Sequence, residues 1–226
     1  MTLTYFLVKF VSFLTGEELE IMPRRKKDHL MRWGVMGCAS IIFAIEGYVY
    51  LESPDTNTPL VISHRGVSNK NGVQNTVQSL EKTAQLKPDL VEMDVQETKD
   101  GQFVMMHDAN LKNLTGINAT PQDLTLDELT NTDIYENGYQ TKISSFNAYL
   151  ERANALNQKL LIEIKTSKKD SPQMMEHFLE KYGATIKKYG HQMQSLDYHV
   201  IDKVLTYDSE IPVYFILPYN SIFPRT

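Results

Sequence analysis

From residue 60 onward the sequence switches repeatedly between two hydrophobic periods, and no other feature restricts the possible folds as much. Short apolar runs of strand type occupy residues 60–63, 90–95, 103–106, 160–164, 191–196 and 213–217. Between most of them, apolar residues recur at helical spacing: Val77, Leu80 and Ala84; Phe146, Tyr149, Leu150, Ala153 and Leu156; Met174, Met175, Phe178, Leu179 and Tyr182; and Tyr198, Ile201, Val204 and Leu205. That recurrence buries one helix face, and strands alternating with such helices build βαβ units around a parallel sheet. Residues 109–144, rich in Thr, Asn, Asp and Gly, break the rhythm and read as a small insertion over one face. The predicted class is α/β, in which functional groups stand at the carboxyl ends of the strands.

Four strand ends carry titratable groups. At Ile62-Ser63-His64-Arg65-Gly66 a strand closes on a base, a guanidinium and a glycine that permits a sharp turn; a surface His beside a surface Arg is the plainer reading. In Val91-Glu92-Met93-Asp94-Val95 the strand period of two sends Glu92 and Asp94 to one face and Met93 and Val95 to the other. Two such carboxylates repel unless a cation lies between them, and hard oxygen ligands suit Mg²⁺ or Ca²⁺; an exposed polar face of an edge strand accounts for them as well. Asp100-Gly101 is a two-residue hairpin signal. With those two as the loop, Lys99 pairs with Gln102, residues 103–106 form an antiparallel arm over the rim, and His107 falls opposite Asp94. Finally, Glu163 and Lys165 share one strand face, as a structural ion pair or as a third metal carboxylate beside an anion-binding cation. Together, two His, one Arg, one Lys and three carboxylates at successive strand ends describe a site for a phosphate ester, with a metal to polarise it and His to move protons.

The amino-terminal part reads differently. Arg24, Arg25, Lys26, Lys27 and Arg32 precede residues 33–51, where Glu46 is the one charged residue. That stretch forms a helix of about 28 Å, close to the hydrocarbon thickness of a bilayer. Trp33, Tyr48 and Tyr50 sit where interfacial anchors belong, and the basic cluster puts the start on the cytoplasmic side. The expectation is a cell-membrane protein anchored by residues 1–51. Its helix over 33–51 is single-pass or the last of several, and residues 1–14 are a shorter apolar remnant. A polar linker over 52–59 follows, with the domain 60–226 outside the cell. A net charge of −5 with no long basic run outside the amino-terminal part makes the chain a poor candidate for non-specific nucleic-acid binding, and the single Cys forbids an internal disulfide.

His64-Arg65-Gly66, Gln74-Asn75-Thr76, Glu92-Met93-Asp94-Val95, Thr98-Lys99-Asp100-Gly101, His107-Asp108 and Glu163-Ile164-Lys165 occur in an order and spacing that resembles the glycerophosphodiester phosphodiesterases, especially bacterial forms with membrane helices before the catalytic domain. The resemblance implies a TIM-type (β/α) barrel of the PLC-like phosphodiesterase kind, and hydrolysis of glycerophosphodiesters to an alcohol and glycerol 3-phosphate. It also implies His64 and His107 as general acid and base, Glu92, Asp94 and Glu163 as ligands of Ca²⁺ or Mg²⁺, and Arg65 and Lys165 as the phosphate grip. Gln74 and Asn75 would support them, with Gln74 standing where many relatives carry Glu. The span from Leu60 to Thr226 is shorter than the roughly 200 residues at the lower end for such barrels, so the barrel is expected to lack its last two strands and to expose an edge able to pair with another chain. The alternatives are a non-catalytic remnant of such an enzyme and a related phospholipase D-like or sphingomyelin-cleaving enzyme on the same barrel.

Overall fold

The computed structural model describes Ser40 and residues 59–217. The chain divides into two units, Met1–Thr58 and Pro59–Thr226, and the second carries everything below. In chain order its elements are β1 (Ile62–Ser63), α1 (Val77–Ala84), β2 (Leu90–Glu97), β3 (Phe103–Met105), α2 (Lys112–Thr115), α3 (Leu126–Thr130), β4 (Asp133–Glu136), β5 (Tyr139–Lys142), α4 (Phe146–Ala155), β6 (Leu160–Ile164), α5 (Met174–Tyr189), β7 (Gln192–Ser195), α6 (Tyr198–Tyr207) and β8 (Val213–Phe215).

The expected transmembrane helix needs correction. Among the described residues no helix is long and apolar enough to cross a membrane, so the spanning helix and, with it, the expected membrane partner and cell-membrane location are not supported. The stretch to which the helix was assigned, 33–51, lies outside the described residues apart from Ser40, as do residues 1–14 and most of the linker 52–59. Glu46 is the physical objection: a carboxylate inside a spanning helix carries a desolvation cost, a penalty that a count of apolar length leaves out.

Strands β1, β2, β6, β7 and β8 run parallel in that spatial order, and β3 pairs antiparallel with β2. The central strand β2 is buried at every position. Its Val91, Met93 and Val95, with Leu160, Ile162 and Ile164 of β6 and Met193 of β7, pack against Phe146, Tyr149, Leu150 and Ala153 of α4 and Phe178 and Tyr182 of α5. Edge-on aromatic contacts tie that layer together, with Phe146 to Tyr182 at 4.7 Å and Phe103 to Phe178 at 5.0 Å between ring centres. Strand alternation then leaves Glu92, Asp94 and Glu163 on the opposite face, away from the helices. The β2–β6 register pairs Asp94 directly with Glu163.

Helix ends are fixed locally. Thr76, Ser145 and Asp197 accept hydrogen bonds from Ser79, Ala148 and His199 backbone N–H groups at the starts of α1, α4 and α6, and Gly190 closes α5 in the left-handed conformation. The segment between β3 and α4 has its own small core, in which Val104, Met106, Leu111, Leu114, Leu129, Ile134 and Ile143 enclose Val73. That core seats the β4–β5 hairpin beside the loop leading into α1.

The hairpin joining β2 to β3 departs from the expected register by one residue. Thr98 N–H donates to Gln102 O, and Val95 faces Met105. The loop is therefore the three residues Lys99, Asp100 and Gly101, with only Gly101 at positive φ (+68°), the pattern of a type I turn closed by a left-handed glycine. Asp94 consequently faces Met106, whose N–H donates to its carbonyl oxygen at 3.1 Å, and His107 lies one residue beyond the expected position.

Candidate active site

The turn after β1 aims the first group. Arg65 and Gly66 both adopt left-handed backbone, φ +54° and +66°, which reverses the chain within two residues. A Cβ on Gly66 would stand 2.6 Å from Tyr149 Oη, so the tight approach of this turn to α4 excludes any side chain there. The reversal directs the Arg65 backbone N–H onto Glu92 Oε2 at 2.9 Å and leaves His64 Nε2 3.8 Å from the same oxygen.

Glu92, Asp94 and Glu163 each offer a carboxylate oxygen, and these atoms lie within 4.8 Å of one another, all three residues being buried. Asn75, itself at φ +56°, braces Asp94 from both sides: its Nδ2 donates to Asp94 Oδ2 at 2.9 Å, and its Oδ1 accepts from the Asp94 backbone N–H at 3.0 Å. Lys165 Nζ bridges Glu163 Oε1 at 2.5 Å and Asp94 Oδ1 at 3.2 Å. Arg65 Nε stands 3.8 Å from Asp94 Oδ2, and Gln194 Nε2 donates to Glu163 Oε2 at 3.3 Å.

The balance of charge leaves room for a cation. Burial, then the neighbouring Asp94 charge, push the Glu92 carboxyl up to about 7, against the pull of the Arg65 N–H. Glu92 Oε1 is buried without a protein partner among the described residues, as is Arg65 Nε. A buried carboxylate oxygen left unpaired is costly, and an all-oxygen set at this spacing suits a hard divalent ion. The residues present therefore fit such an ion. Burial alone would lower the Lys165 pKa, but the hydrogen bond to Glu163 and the Asp94 charge outweigh it, so the net shift is upward and the ammonium persists.

The two histidines flank this cluster. His64 keeps a side chain 72% exposed; its pKa is lowered by its partial burial first, then by the Arg65 guanidinium, with His107 contributing in the same direction. His107 Nδ1 lies 2.8 Å from Asp108 Oδ1, and Asn113 Nδ2 donates to the other Asp108 oxygen at 3.0 Å. The hydrogen bond with His107 holds the Asp108 carboxyl below its usual range. An ionised Asp108 fixes the imidazole with Nδ1 turned inward, so that Nε2 is the nitrogen available for proton transfer.

Contacts thus join eight of the residues singled out in the sequence, His64, Arg65, Gln74, Asn75, Glu92, Asp94, Glu163 and Lys165, while His107 is held by Asp108 and acts on His64 through its charge. Sequence reasoning overlooked Asp108 as a support for His107, Gln194 beside Glu163, and Glu136, whose carboxylate accepts from the Gln74 backbone N–H at 2.7 Å and from Gln74 Nε2 at 2.9 Å. The signal for Glu136 was present in Asn137-Gly138, a two-residue hairpin pair at positive φ in both residues.

Comparisons with known proteins bear on the family and the fold. The model of the glycerophosphoryl diester phosphodiesterase family matches residues 64–216. A glycerophosphodiester phosphodiesterase of Caldanaerobacter subterraneus is 40% identical over 74 residues, 33% of this chain and 30% of that one. The lysophospholipase D GDPD1 of Homo sapiens is 28% identical over 168 residues, 69% of this chain and 51% of that one. This chain therefore spans about half, or less, of the length of these relatives. Among solved structures, an Oleispira antarctica phosphodiesterase in complex with the product sn-glycerol-3-phosphate superposes with a TM-score of 0.60 at 23% identity, covering 72% of this chain and 67% of that one. A Parabacteroides distasonis glycerophosphodiester phosphodiesterase gives 0.57 at 25% identity, covering 69% and 64%. These likenesses identify the parallel sheet with its outer helices as TIM-barrel-like.

Proposed function

The chain belongs to the glycerophosphoryl diester phosphodiesterase family, whose model spans residues 64–216, and on that premise we propose that it hydrolyses a glycerophosphodiester to an alcohol and glycerol 3-phosphate at the rim formed by β2 and β6. Residues 60–226 are taken as the phosphodiesterase domain and 109–144 as its insertion. The observation that carries the reading is the convergence of three buried carboxylates within 4.8 Å beside two cations and two histidines.

Glu92, Asp94 and Glu163 would hold Ca²⁺ or Mg²⁺, which supplies positive charge against the phosphoryl oxygens when bound. Arg65 and Lys165 flank the same carboxylates and bind the phosphate, Arg65 through a planar donor array matched to its oxygens. One histidine accepts the proton of the glycerol hydroxyl next to the ester as that oxygen attacks phosphorus. The other donates a proton to the alcohol oxygen as its bond to phosphorus breaks. The cyclic phosphate then takes up water with the two proton transfers reversed, and both histidines return to their starting states. An unperturbed imidazole titrates near 6.5, which suits either direction at neutral pH; Asp108 keeps the His107 ring oriented for its share.

The test is release of glycerol phosphate from glycerophosphocholine by the full 226-residue chain with added Ca²⁺ or Mg²⁺, with and without chelator. Turnover that chelator abolishes and excess cation restores is expected. Cation binding without turnover on any glycerophosphodiester would replace this reading with that of a non-catalytic remnant.

A further inference from the structure

The Arg65 guanidinium is steered by an amide. Its Nη1 donates to Gln74 Oε1 at 2.7 Å, while its Nε faces Asp94. A glutamine amide has nearly the same shape either way round, so an oxygen meets Arg65 only if something else selects that orientation. Glu136 supplies the selection. Its carboxylate accepts from the Gln74 backbone N–H and from Gln74 Nε2 at once, and a carboxylate presents acceptors only, so Nε2 must face it and Oε1 must face the guanidinium. Flipping the amide would set NH₂ against guanidinium and carbonyl oxygen against carboxylate, losing both bonds together.

The insertion is built to deliver that carboxylate. Glu136 is the last residue of β4 and pairs with Tyr139 across the Asn137-Gly138 turn, with φ of +54° and +82° at the turn residues. Asn137 Nδ2 donates to Gly72 O at 3.1 Å, fastening the hairpin tip two residues before Gln74. Ile134, on the same strand face as Glu136, is buried in the insertion core.

We propose that Glu136 is a positioning residue: it sets the Gln74 amide, and through it the Arg65 guanidinium, in the orientation from which Arg65 meets the substrate phosphate. The phosphate half of this statement rests on the function proposed above; the Glu136–Gln74–Arg65 coupling does not. It explains how this chain manages with Gln at position 74, because Glu136 provides the carboxylate one step further out.

The experiment uses the full chain with Glu136→Gln and with the polarity-reversing pair Gln74→Glu and Glu136→Gln. Two readouts are followed: side-chain ¹⁵N–¹H resonances of Arg65, which report hindered guanidinium rotation, and titration with inorganic phosphate in the presence of Ca²⁺. In Glu136→Gln the Arg65 signals should lose their restraint and phosphate affinity should fall about tenfold, the worth of one hydrogen bond to a charged group. In the double variant the new amide at position 136 can donate to the new carboxylate at position 74, which in turn can pair with Arg65, so both readouts should return to within about threefold of the parent. Arg65 signals that stay restrained in Glu136→Gln, or a double variant no better than Glu136→Gln alone, overturn the proposal. Should Glu136→Gln fail to fold, the double variant decides, since a restrained Arg65 there upholds the coupling and a free one refutes it. Arg65 behaving as expected in a chain that binds no phosphate leaves the coupling standing and removes the functional reading instead.

Discussion

His191 makes the stability of the domain depend on pH in a direction that can be worked out. Its side chain is buried at the start of β7. Nδ1 accepts the Leu160 backbone N–H at 3.1 Å, and Nε2 lies 2.8 Å from Asn154 Oδ1, so the neutral ring with its proton on Nε2 satisfies both partners. Protonating Nδ1 would set a donor against a donor inside the core. Burial first, and the Lys159 charge second, accordingly lower the pKa from 6.5 to about 4. Above 6.5 the ring is neutral in folded and unfolded chains alike, and the full stability is present. As the pH falls from 6.5 toward 4, only the unfolded chain takes up the proton, so stability is lost through that window and levels off below it. Between about pH 8 and about pH 5 the linkage amounts to ~2 kcal/mol. Urea unfolding of the full chain at those two pH values, compared with His191→Gln, isolates the contribution. The parent's advantage over the variant should shrink by about 2 kcal/mol at the lower pH. An advantage that does not change with pH would show that the buried ring carries no such linkage, and the reasoning would fail.

Three substitutions probe the site. Gly66→Ala places a methyl group 2.6 Å from Tyr149 Oη at a φ of +66°; the left-handed backbone alone costs about 1–2 kcal/mol, so thermal unfolding should shift down by at least that equivalent. Tyr149→Phe, which removes a buried hydroxyl that has no hydrogen-bond partner among the described residues, should be neutral or slightly stabilising and should recover part of the Gly66→Ala loss; a Gly66→Ala chain as stable as the parent would contradict the close packing described. His107→Ala should abolish turnover by at least about a hundredfold while leaving Ca²⁺ affinity, measured by calorimetry, within about threefold of the parent. An unchanged rate would defeat the proton-transfer role, and lost Ca²⁺ binding would make the imidazole a ligand instead.

What could be read from the sequence was what depends on near neighbours. The period of two on β2 and β6 assigns Glu92, Asp94 and Glu163 to one face whatever the rest of the chain does, and the structure puts them there because Val91, Met93, Ile162 and Ile164 need the helices. Counting residues in a turn was less secure. Asp100-Gly101 has the letters of a two-residue hairpin, but the Asp100 side chain bonds to Thr98 Oγ1 at 2.6 Å and only Gly101 takes positive φ, which gives a three-residue loop and displaces His107 by one position. The true two-residue hairpin was Asn137-Gly138, within a stretch whose polar composition hid it. The amino-terminal expectation rested on hydropathy, which sums side chains without placing them and leaves Glu46 unaccounted for.

Local patterns did not reveal which residues pair at long range. Glu136 and Gln74 are 62 residues apart and Leu160 and His191 are 31 apart, so periodicity within either segment says nothing of the other. This bears on how the site tolerates change. Carboxylates fixed by strand alternation can be moved only by altering the sheet, whereas the orientation of Arg65 passes through an amide and a hairpin that packs on its own small core. Sequence drift in the insertion should therefore tune phosphate affinity while leaving the carboxylate cluster intact. Comparing the phosphate and Ca²⁺ affinities of Asn137→Ala would separate the two: the turn and its bond to Gly72 are lost, so phosphate binding should weaken severalfold with Ca²⁺ binding unchanged, and a parallel fall in both would mean that the insertion supports the carboxylates as well.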